Sequence, residues 1–178
     1  MIDRTQFVPA GAPVDVPFPF GSEQTVPTEA FADSILKHIP EGCTVLEVGA
    51  GSGYLAACLA EKASRVVAIE INTLPYGTFH HAPDNVTPIH ADGCNYDTGE
   101  QFDRIVVSFA SPRIMHAWFT QLKPGGQLLV PISSHHVCRF CLYEKTIKAP
   151  SGYELILKDV LFYAPFTKLV ESKPLSVK

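Results

Sequence analysis

Residues 44–53 read Thr44-Val45-Leu46-Glu47-Val48-Gly49-Ala50-Gly51-Ser52-Gly53, and an apolar helical pattern carrying Leu55, Cys58 and Leu59 follows. Val45, Leu46 and Val48 form a short apolar run suited to a strand of a buried parallel sheet. The three alternating glycines predict a tight turn whose backbone comes close to a ligand. A strand, a glycine turn and the start of a helix, in that order, predict a nucleotide-type cofactor site.

The spacing narrows the cofactor. In the dinucleotide fingerprint G-x-G-x-x-G, counted from Gly49, the third glycine would fall at position 54, which is Tyr54; the pattern here is G-x-G-x-G. Glu47, inside the strand, would repel a pyrophosphate but suits a cofactor with a cationic amino-acid part. Glu70 closes a second apolar run, Arg65-Val-Val-Ala-Ile-Glu70, where an acidic group takes ribose hydroxyls. Asp92-Gly93 follows a third run, Val86-Thr-Pro-Ile-His90. Together these point to S-adenosyl-L-methionine rather than NAD.

Working outward, residues 1–24 are rich in Pro, Gly and Phe and predict an irregular arm packed on a single domain spanning 25–178. A first helix is expected from about Pro27 to His38, with Phe31, Ile35 and Ile39 on one face and Pro40 as its stop. Strands are expected at 43–48, 65–70, 86–90 and 104–109, with a helix at about 53–62. Ser111-Pro112 reads as an N-cap followed by proline in the first turn of a helix bearing Met115, Trp118, Phe119 and Leu122. Lys123-Pro-Gly-Gly126 ends that helix and leads to a strand at 127–131. Strands at about 136–146 and 153–163 read as a hairpin. The alternation predicts an α/β, Rossmann-like fold: a mostly parallel central sheet, helices on both faces, and antiparallel C-terminal strands. In such sheets ligands bind beyond the carboxyl ends of the strands, where Gly49–Gly53, Glu70, Asp92 and Ser108 all fall.

Composition excludes several classes. The chain has 178 residues, 46% of them apolar, enough for one domain with a sizeable core. A formal net charge of −4 with no Lys or Arg run gives no electrostatic case for nucleic-acid binding. No apolar stretch is long enough to span a bilayer, and Met1 opens no signal-peptide pattern, so a membrane partner is not expected. Five cysteines at irregular spacings suggest reduced thiols in a cytoplasm.

The order Glu47-Val-Gly-Ala-Gly-Ser-Gly-Tyr54, Ala68-Ile-Glu70, Ala91-Asp-Gly93, Phe102-Asp-Arg-Ile-Val-Val107 and Gln121-Leu-Lys-Pro-Gly-Gly-Gln-Leu-Leu-Val-Pro-Ile132 resembles the class I S-adenosylmethionine-dependent methyltransferases. Within them the chain is most similar to the protein-L-isoaspartate O-methyltransferase family, over roughly residues 20–168. Gly21-Ser-Glu-Gln-Thr-Val-Pro27 resembles that family's G-x-x-Q-T-[IV]-S segment, Ala110-Ser-Pro112 its A-A-P turn, and Phe162-Tyr-Ala-Pro-Phe-Thr167 its C-terminal V-P-L-T segment. The resemblance implies a cofactor-binding set of Gln24, Glu47, Gly49, Ala50, Gly51, Ser52, Gly53, Glu70, Ile71, Asp92 and Gly93. It implies that Thr25, Ser108 and Thr167 border methyl transfer to an isoaspartyl carboxylate of a peptide or protein, whose ester then cyclises to a succinimide. Pro27 stands where the family segment ends in serine, and it offers neither hydroxyl nor N–H; Thr25 or Thr28 is the candidate replacement. The 72–85 segment, with Pro75, Gly77 and Pro83, predicts no full helix between the second and third parallel strands. Two other readings stay open: a methyltransferase with a different acceptor, a modified peptide or a small molecule, and a non-catalytic cofactor-binding protein.

The remaining polar groups read more blandly. Cys138-Arg-Phe-Cys141 has CxxC spacing beside His135-His136, but residues three apart on a strand point to opposite faces, so no metal is expected. His80-His81 and His90 read as loop and strand-end residues. Trp118 and Phe119 read as core, and Cys43, Cys58 and Cys94 as small buried groups. Phe18-Pro-Phe20 reads equally as a lid or as packing on the body.

Overall fold

A computed structural model of the protein describes residues 2–13, 15–20, 24–72, 82–134, 137–148 and 152–163. In chain order these form a 3-10 turn (Arg4–Gln6), β1 (Phe18–Phe20), β2 (Gln24–Val26), α1 (Glu29–Leu36), β3 (Thr44–Val48), α2 (Tyr54–Ala60), β4 (Arg65–Glu70), β5 (Val86–His90), β6 (Phe102–Val107), α3 (His116–Thr120), β7 (Leu122–Ser134), β8 (Val137–Ile147) and β9 (Tyr153–Tyr163).

β3 to β9 build one seven-stranded sheet in the order β5-β4-β3-β6-β7-β8-β9. The first five strands in that order run parallel, and β8 and β9 are antiparallel. The alternation of side chains along each strand explains the sequence pattern. Val45, Val66, Ala68, Val106 and Leu129 pack with α1 and α2 on one face. Leu46, Val48, Val67, Ile69, Ile105, Val107 and Leu128 pack with Trp118 of α3 on the other. With both faces covered, the central strands must read as near-continuous apolar runs. Phe31 of α1 meets Phe140 of β8 and Phe162 of β9 edge-on, at 5.8 and 5.9 Å between ring centroids, and so ties the first helix to the last strands. No described helix is long and apolar enough to cross a membrane.

The structure departs from the local signals at three points, at the first two because of long-range pairing. No helix starts at Ser111-Pro112. Ser111 forms a parallel bridge with Ile132, its N–H donates to the Pro131 carbonyl at 2.9 Å, and its carbonyl accepts from the Ser133 N–H at 2.9 Å. An extended residue held by β7 cannot cap a helix, so α3 begins only at His116, behind Met115, which makes no side-chain cap. Lys123-Pro-Gly-Gly126 is not a turn between elements but an irregularity inside β7: β6 pairs Phe102 with Leu122 and then Arg104 with Gln127. Thirdly, α1 starts after Thr28, whose hydroxyl oxygen accepts the Phe31 N–H at 3.2 Å, which leaves Pro27 outside the helix.

Residues 1–24, expected as an irregular arm, contain the 3-10 turn and a two-stranded hairpin, β1–β2, that continues to Val26. The arm lies against the body: the Phe7 ring meets Tyr54 edge-on at 5.3 Å, and Val26 is fully buried in the α1–α2 side of the core. Thr73–His81, most of the segment expected to lack a helix, lies outside the described residues.

Candidate active site

The carboxyl ends of four parallel strands are brought side by side. Val48 pairs with Ile69 and with Val107, and Glu70 pairs with His90. The chain just past each strand continues the ladder. Gly49 N–H and Ala50 N–H both donate to the Ile69 carbonyl at 2.8 and 3.0 Å, Ser108 N–H to Val48 at 2.9 Å, and Ala91 N–H to Glu70 at 3.0 Å. The glycine turn, Glu70, the Ala91-Asp92-Gly93 segment and Ser108 therefore share one rim of the sheet.

The glycine turn is built as its composition demands. Gly49, Gly51 and Gly53 have φ of 87°, 52° and 79°. At Gly49 a side chain would be strained twice over, because a Cβ would also lie 2.6 Å from the Phe109 ring. At Gly51 the space that a Cβ would enter is open, so the turn presents bare backbone outward. Gly53 N–H donates to the Ala50 carbonyl at 2.9 Å, and the Ser52 hydroxyl oxygen accepts the Tyr54 N–H at 3.3 Å, closing the turn onto α2.

Glu70 is buried and braces this turn. Its Oε2 accepts the Gly51 N–H at 2.9 Å, and its Oε1 accepts the backbone and side-chain N–H groups of Asn72, both at 3.0 Å. A carboxylate has about four lone-pair directions, so Oε2 keeps capacity for a ligand hydroxyl. Ile71 is half-buried, and its carbonyl lies 3.0 Å from the His90 ring nitrogen Nε2. Asp92 is half-exposed; its Oδ1 accepts the Cys94 N–H at 3.0 Å and its Oδ2 the Asn95 amide at 2.9 Å. Gly93 is buried against the sheet: a Cβ there would overlap Val48 Cγ1, and its carbonyl accepts the Trp118 indole N–H at 2.8 Å.

Glu47 is the unusual group. It is wholly buried beneath the turn, its Oε1 accepts the Ser108 hydroxyl at 3.3 Å, and its Oε2 has no protein partner. Burial pushes its pKa up to about 8; the Ser108 hydrogen bond opposes that rise and the Glu70 carboxylate adds to it. At neutral pH the side chain is thus largely protonated. The buried Oε2 at the cofactor turn lacks a hydrogen-bond partner, which a donor group of a bound cofactor would supply.

The structure thus brings together Glu47, Gly49, Ala50, Gly51, Ser52, Gly53, Glu70, Ile71, Asp92, Gly93 and Ser108. Gln24 and Thr25 lie on β2 of the hairpin, with Thr25 exposed. Thr28 has its hydroxyl oxygen engaged as the α1 cap. Thr167 lies outside the described residues, as do His80, His81, His135 and His136. The five cysteines are all free, and among the described residues no cluster of His, Cys, Asp or Glu is grouped to hold a metal. Sequence reasoning missed Asn72, which holds Glu70, and Phe109, which roofs Gly49. The first carries an available signal, a short amide two residues past the strand-end acid; the second carries none.

The model of the protein-L-isoaspartate(D-aspartate) O-methyltransferase family matches residues 1–169. The chain belongs to this family. The protein-L-isoaspartate O-methyltransferase of Methanopyrus kandleri is 33% identical over 168 aligned positions, covering 82% of this chain and 71% of that protein. That of Ignicoccus hospitalis is 31% identical over 194 positions, covering 97% and 86%. Among solved structures, a protein-L-isoaspartate O-methyltransferase superposes with a TM-score of 0.75 at 24% identity, covering 95% of this chain and 58% of that one. A Plasmodium falciparum protein assigned to the same activity, in complex with S-adenosyl-L-homocysteine, superposes with a TM-score of 0.73 at 21% identity, covering 94% and 86%. These superpositions show the class I methyltransferase fold. Membership of the family makes the chain a methyltransferase with S-adenosyl-L-methionine as its cofactor, as the G-x-G-x-G spacing led one to expect.

Proposed function

We propose that the protein transfers a methyl group from S-adenosyl-L-methionine to an isoaspartyl carboxylate of a peptide or protein. The acceptor rests on membership of the family, and the observation that carries the methyl-donor side is the shared rim where the open Gly51 backbone, the braced Glu70, Asp92 and the orphan oxygen of Glu47 meet. The residues fit the cofactor. Gly49–Gly53 would pass under its methionine part, Glu47 would meet the amino group, Glu70 would take ribose hydroxyls, and Asp92 with Gly93 would face the adenine.

Bound there, S-adenosyl-L-methionine supplies an electrophilic sulfonium methyl group. The chain's own task is to align an acceptor oxygen and exclude water. A carboxylate is already ionised at neutral pH, so it needs donors rather than a base. Ser108 borders that position from the end of β6. Thr25 supplies a hydroxyl from the hairpin, since the oxygen of Thr28 is occupied as a helix cap and Pro27 has none. Thr167 is assigned to the same border by its motif position. The protein works in the cytoplasm, a reading supported by its five free thiols.

Pro27 favours one second reading, a methyltransferase of the same cofactor with a different acceptor, a modified peptide or a small molecule. One assay separates them: methyl transfer from labelled cofactor to a synthetic isoaspartyl peptide and its aspartyl twin. Transfer to the isoaspartyl form alone is expected. Labelling of neither, in a sample that binds S-adenosyl-L-homocysteine, would move the conclusion to the second reading.

A further inference from the structure

Arg4 has no role in the cofactor rim, yet it is the most deeply buried cation of the described residues, 2% exposed. No described carboxylate pairs with it. Among the described residues its guanidinium is held by backbone carbonyls: Nε donates to Pro27 at 2.7 Å, Nη1 to Pro13 at 2.8 Å, and Nη2 to Val16 at 3.0 Å and Val26 at 3.3 Å. A buried charge is a costly device where an apolar side chain would fill the same volume. What it achieves is geometric. A planar fork with five donors fixes several acceptors in one plane, which a lysine cannot do.

Those acceptors are not scattered. Val16 lies two residues before β1, Val26 ends β2, and Pro27 follows it. The guanidinium therefore sits across the base of the β1–β2 hairpin and grips both of its ends. This hairpin is a two-stranded sheet separate from the main one. Two strands alone are marginal in water, so what they present depends on how their base is anchored. β2 carries Thr25, and Val26 packs in the same core as Ala50 and Tyr54 of the glycine turn and its helix.

We infer that Arg4 is a positioning residue for the acceptor site: its guanidinium clamps the base of the β1–β2 hairpin and so sets Thr25 beside the cofactor rim. This rests on the acceptor reading given above. The residue that replaces the family's serine is part of the clamp, because the Pro27 carbonyl takes the shortest of the four hydrogen bonds.

The test compares the full chain with Arg4→Lys and Arg4→Met, below the unfolding temperature of each. Calorimetry gives the affinity for S-adenosyl-L-homocysteine, and labelled-methyl kinetics give KM and kcat for the isoaspartyl peptide. The clamp predicts that peptide KM rises at least tenfold in Arg4→Met and less in Arg4→Lys, with kcat and cofactor affinity within twofold of the wild type. A role in bulk stability alone would lower the unfolding temperature without this split. An unchanged KM, or a loss of cofactor affinity in step with it, would overturn the inference. Amide hydrogen exchange over residues 16–27 supplies the second readout. If the wild type labels no peptide, the acceptor reading fails by itself, and the clamp is decided by exchange: faster exchange confined to the hairpin in Arg4→Lys sustains it, and unchanged exchange refutes it.

Discussion

Glu47→Gln should change how the stability of the protein depends on pH, and the size of the change follows from the site. The side chain has no exposed surface; burial raises its pKa from 4.5 to about 8, with Glu70 of β4 adding to the rise and the Ser108 hydroxyl opposing it. In the unfolded chain Glu47 loses its proton near pH 4.5, whereas in the folded protein it keeps it until about pH 8. Between those values the unfolded state binds one proton fewer, so unfolding free energy falls as pH rises, by about 1.4 kcal/mol per pH unit. From pH 5 to pH 7 the accumulated loss is about 3 kcal/mol, a large share of an ordinary domain's stability.

Glutamine has nearly the same shape and no titration, but its amide brings N–H groups to the place where Oε2 lacks a partner. Absolute stability at one pH therefore mixes two effects, and the slope is the clean quantity. Urea denaturation of the wild type and Glu47→Gln at pH 5, 6, 7 and 8, without cofactor, gives both curves. The wild type should lose stability relative to the variant as pH rises, with the gap closing or reversing by about 3 kcal/mol between pH 5 and 7. Parallel curves would show that the folded protein holds Glu47 ionised, and the account of a protonated acid beneath the glycine turn would be wrong.

Other outcomes follow from single contacts. Gly51→Val puts a β-branched side chain at φ 52°, in the open space over the turn; calorimetry should show loss of S-adenosyl-L-homocysteine binding, and retained binding would refute the site. Asp92→Ala removes the acceptors of Cys94 N–H and the Asn95 amide and should also abolish binding, read in the same titration. Gly93→Ala must displace Val48, a strand residue with nowhere to move; overpacking of this kind should cost about 1–3 kcal/mol in denaturant unfolding. Asp103 is opposed by burial but held down at about 2 by the Thr44 N–H, Lys123 and the Thr44 hydroxyl. Its stabilising share is present above the ordinary carboxylate pKa and fades as pH falls toward 2, so Asp103→Asn should flatten the acid limb of the unfolding curve.

β3, β4 and β6 were legible because each is a short, nearly continuous apolar run packed in the middle of the sheet, and the exposed edge strand β5 because it lies between Asn85 and the Ala91-Asp92-Gly93 segment. β4 and β5 were expected at 65–70 and 86–90, where they lie. The same local grammar misled at Ser111-Pro112, which has the composition of a helix start. What decides that position is pairing with Pro131, Ile132 and Ser133, some twenty residues away. Lys123-Pro-Gly-Gly126 reads as punctuation for the same reason. Only the register against β6 shows that the strand resumes on both sides of it, and that Gly126 is needed where a Cβ would come within 2.9 Å of the Lys123 carbonyl.

The cofactor and acceptor sides differ in this respect for a physical reason. The cofactor rim is made of strand ends, and each of its residues is fixed by the few residues before it; Glu70 needs only β4 and Asn72 to stand where it does. The proposed acceptor side is a hairpin whose strands, among the described residues, pair only with each other, and its placement is decided by a group far from its own motif. Arg4 reaches Val26 and Pro27 across 22 and 23 residues, and a lone arginine in a stretch rich in Pro and Gly has no pattern that announces this. Substitution at Pro27 therefore cannot be judged by the missing hydroxyl alone. Pro27→Ser would restore a hydroxyl and leave the carbonyl that Arg4 grips, so the clamp should survive it. A fall in peptide KM with unchanged cofactor affinity would then show that the hairpin already stands where the family's serine would be useful. An unchanged KM would show that Thr25 has taken over that contact.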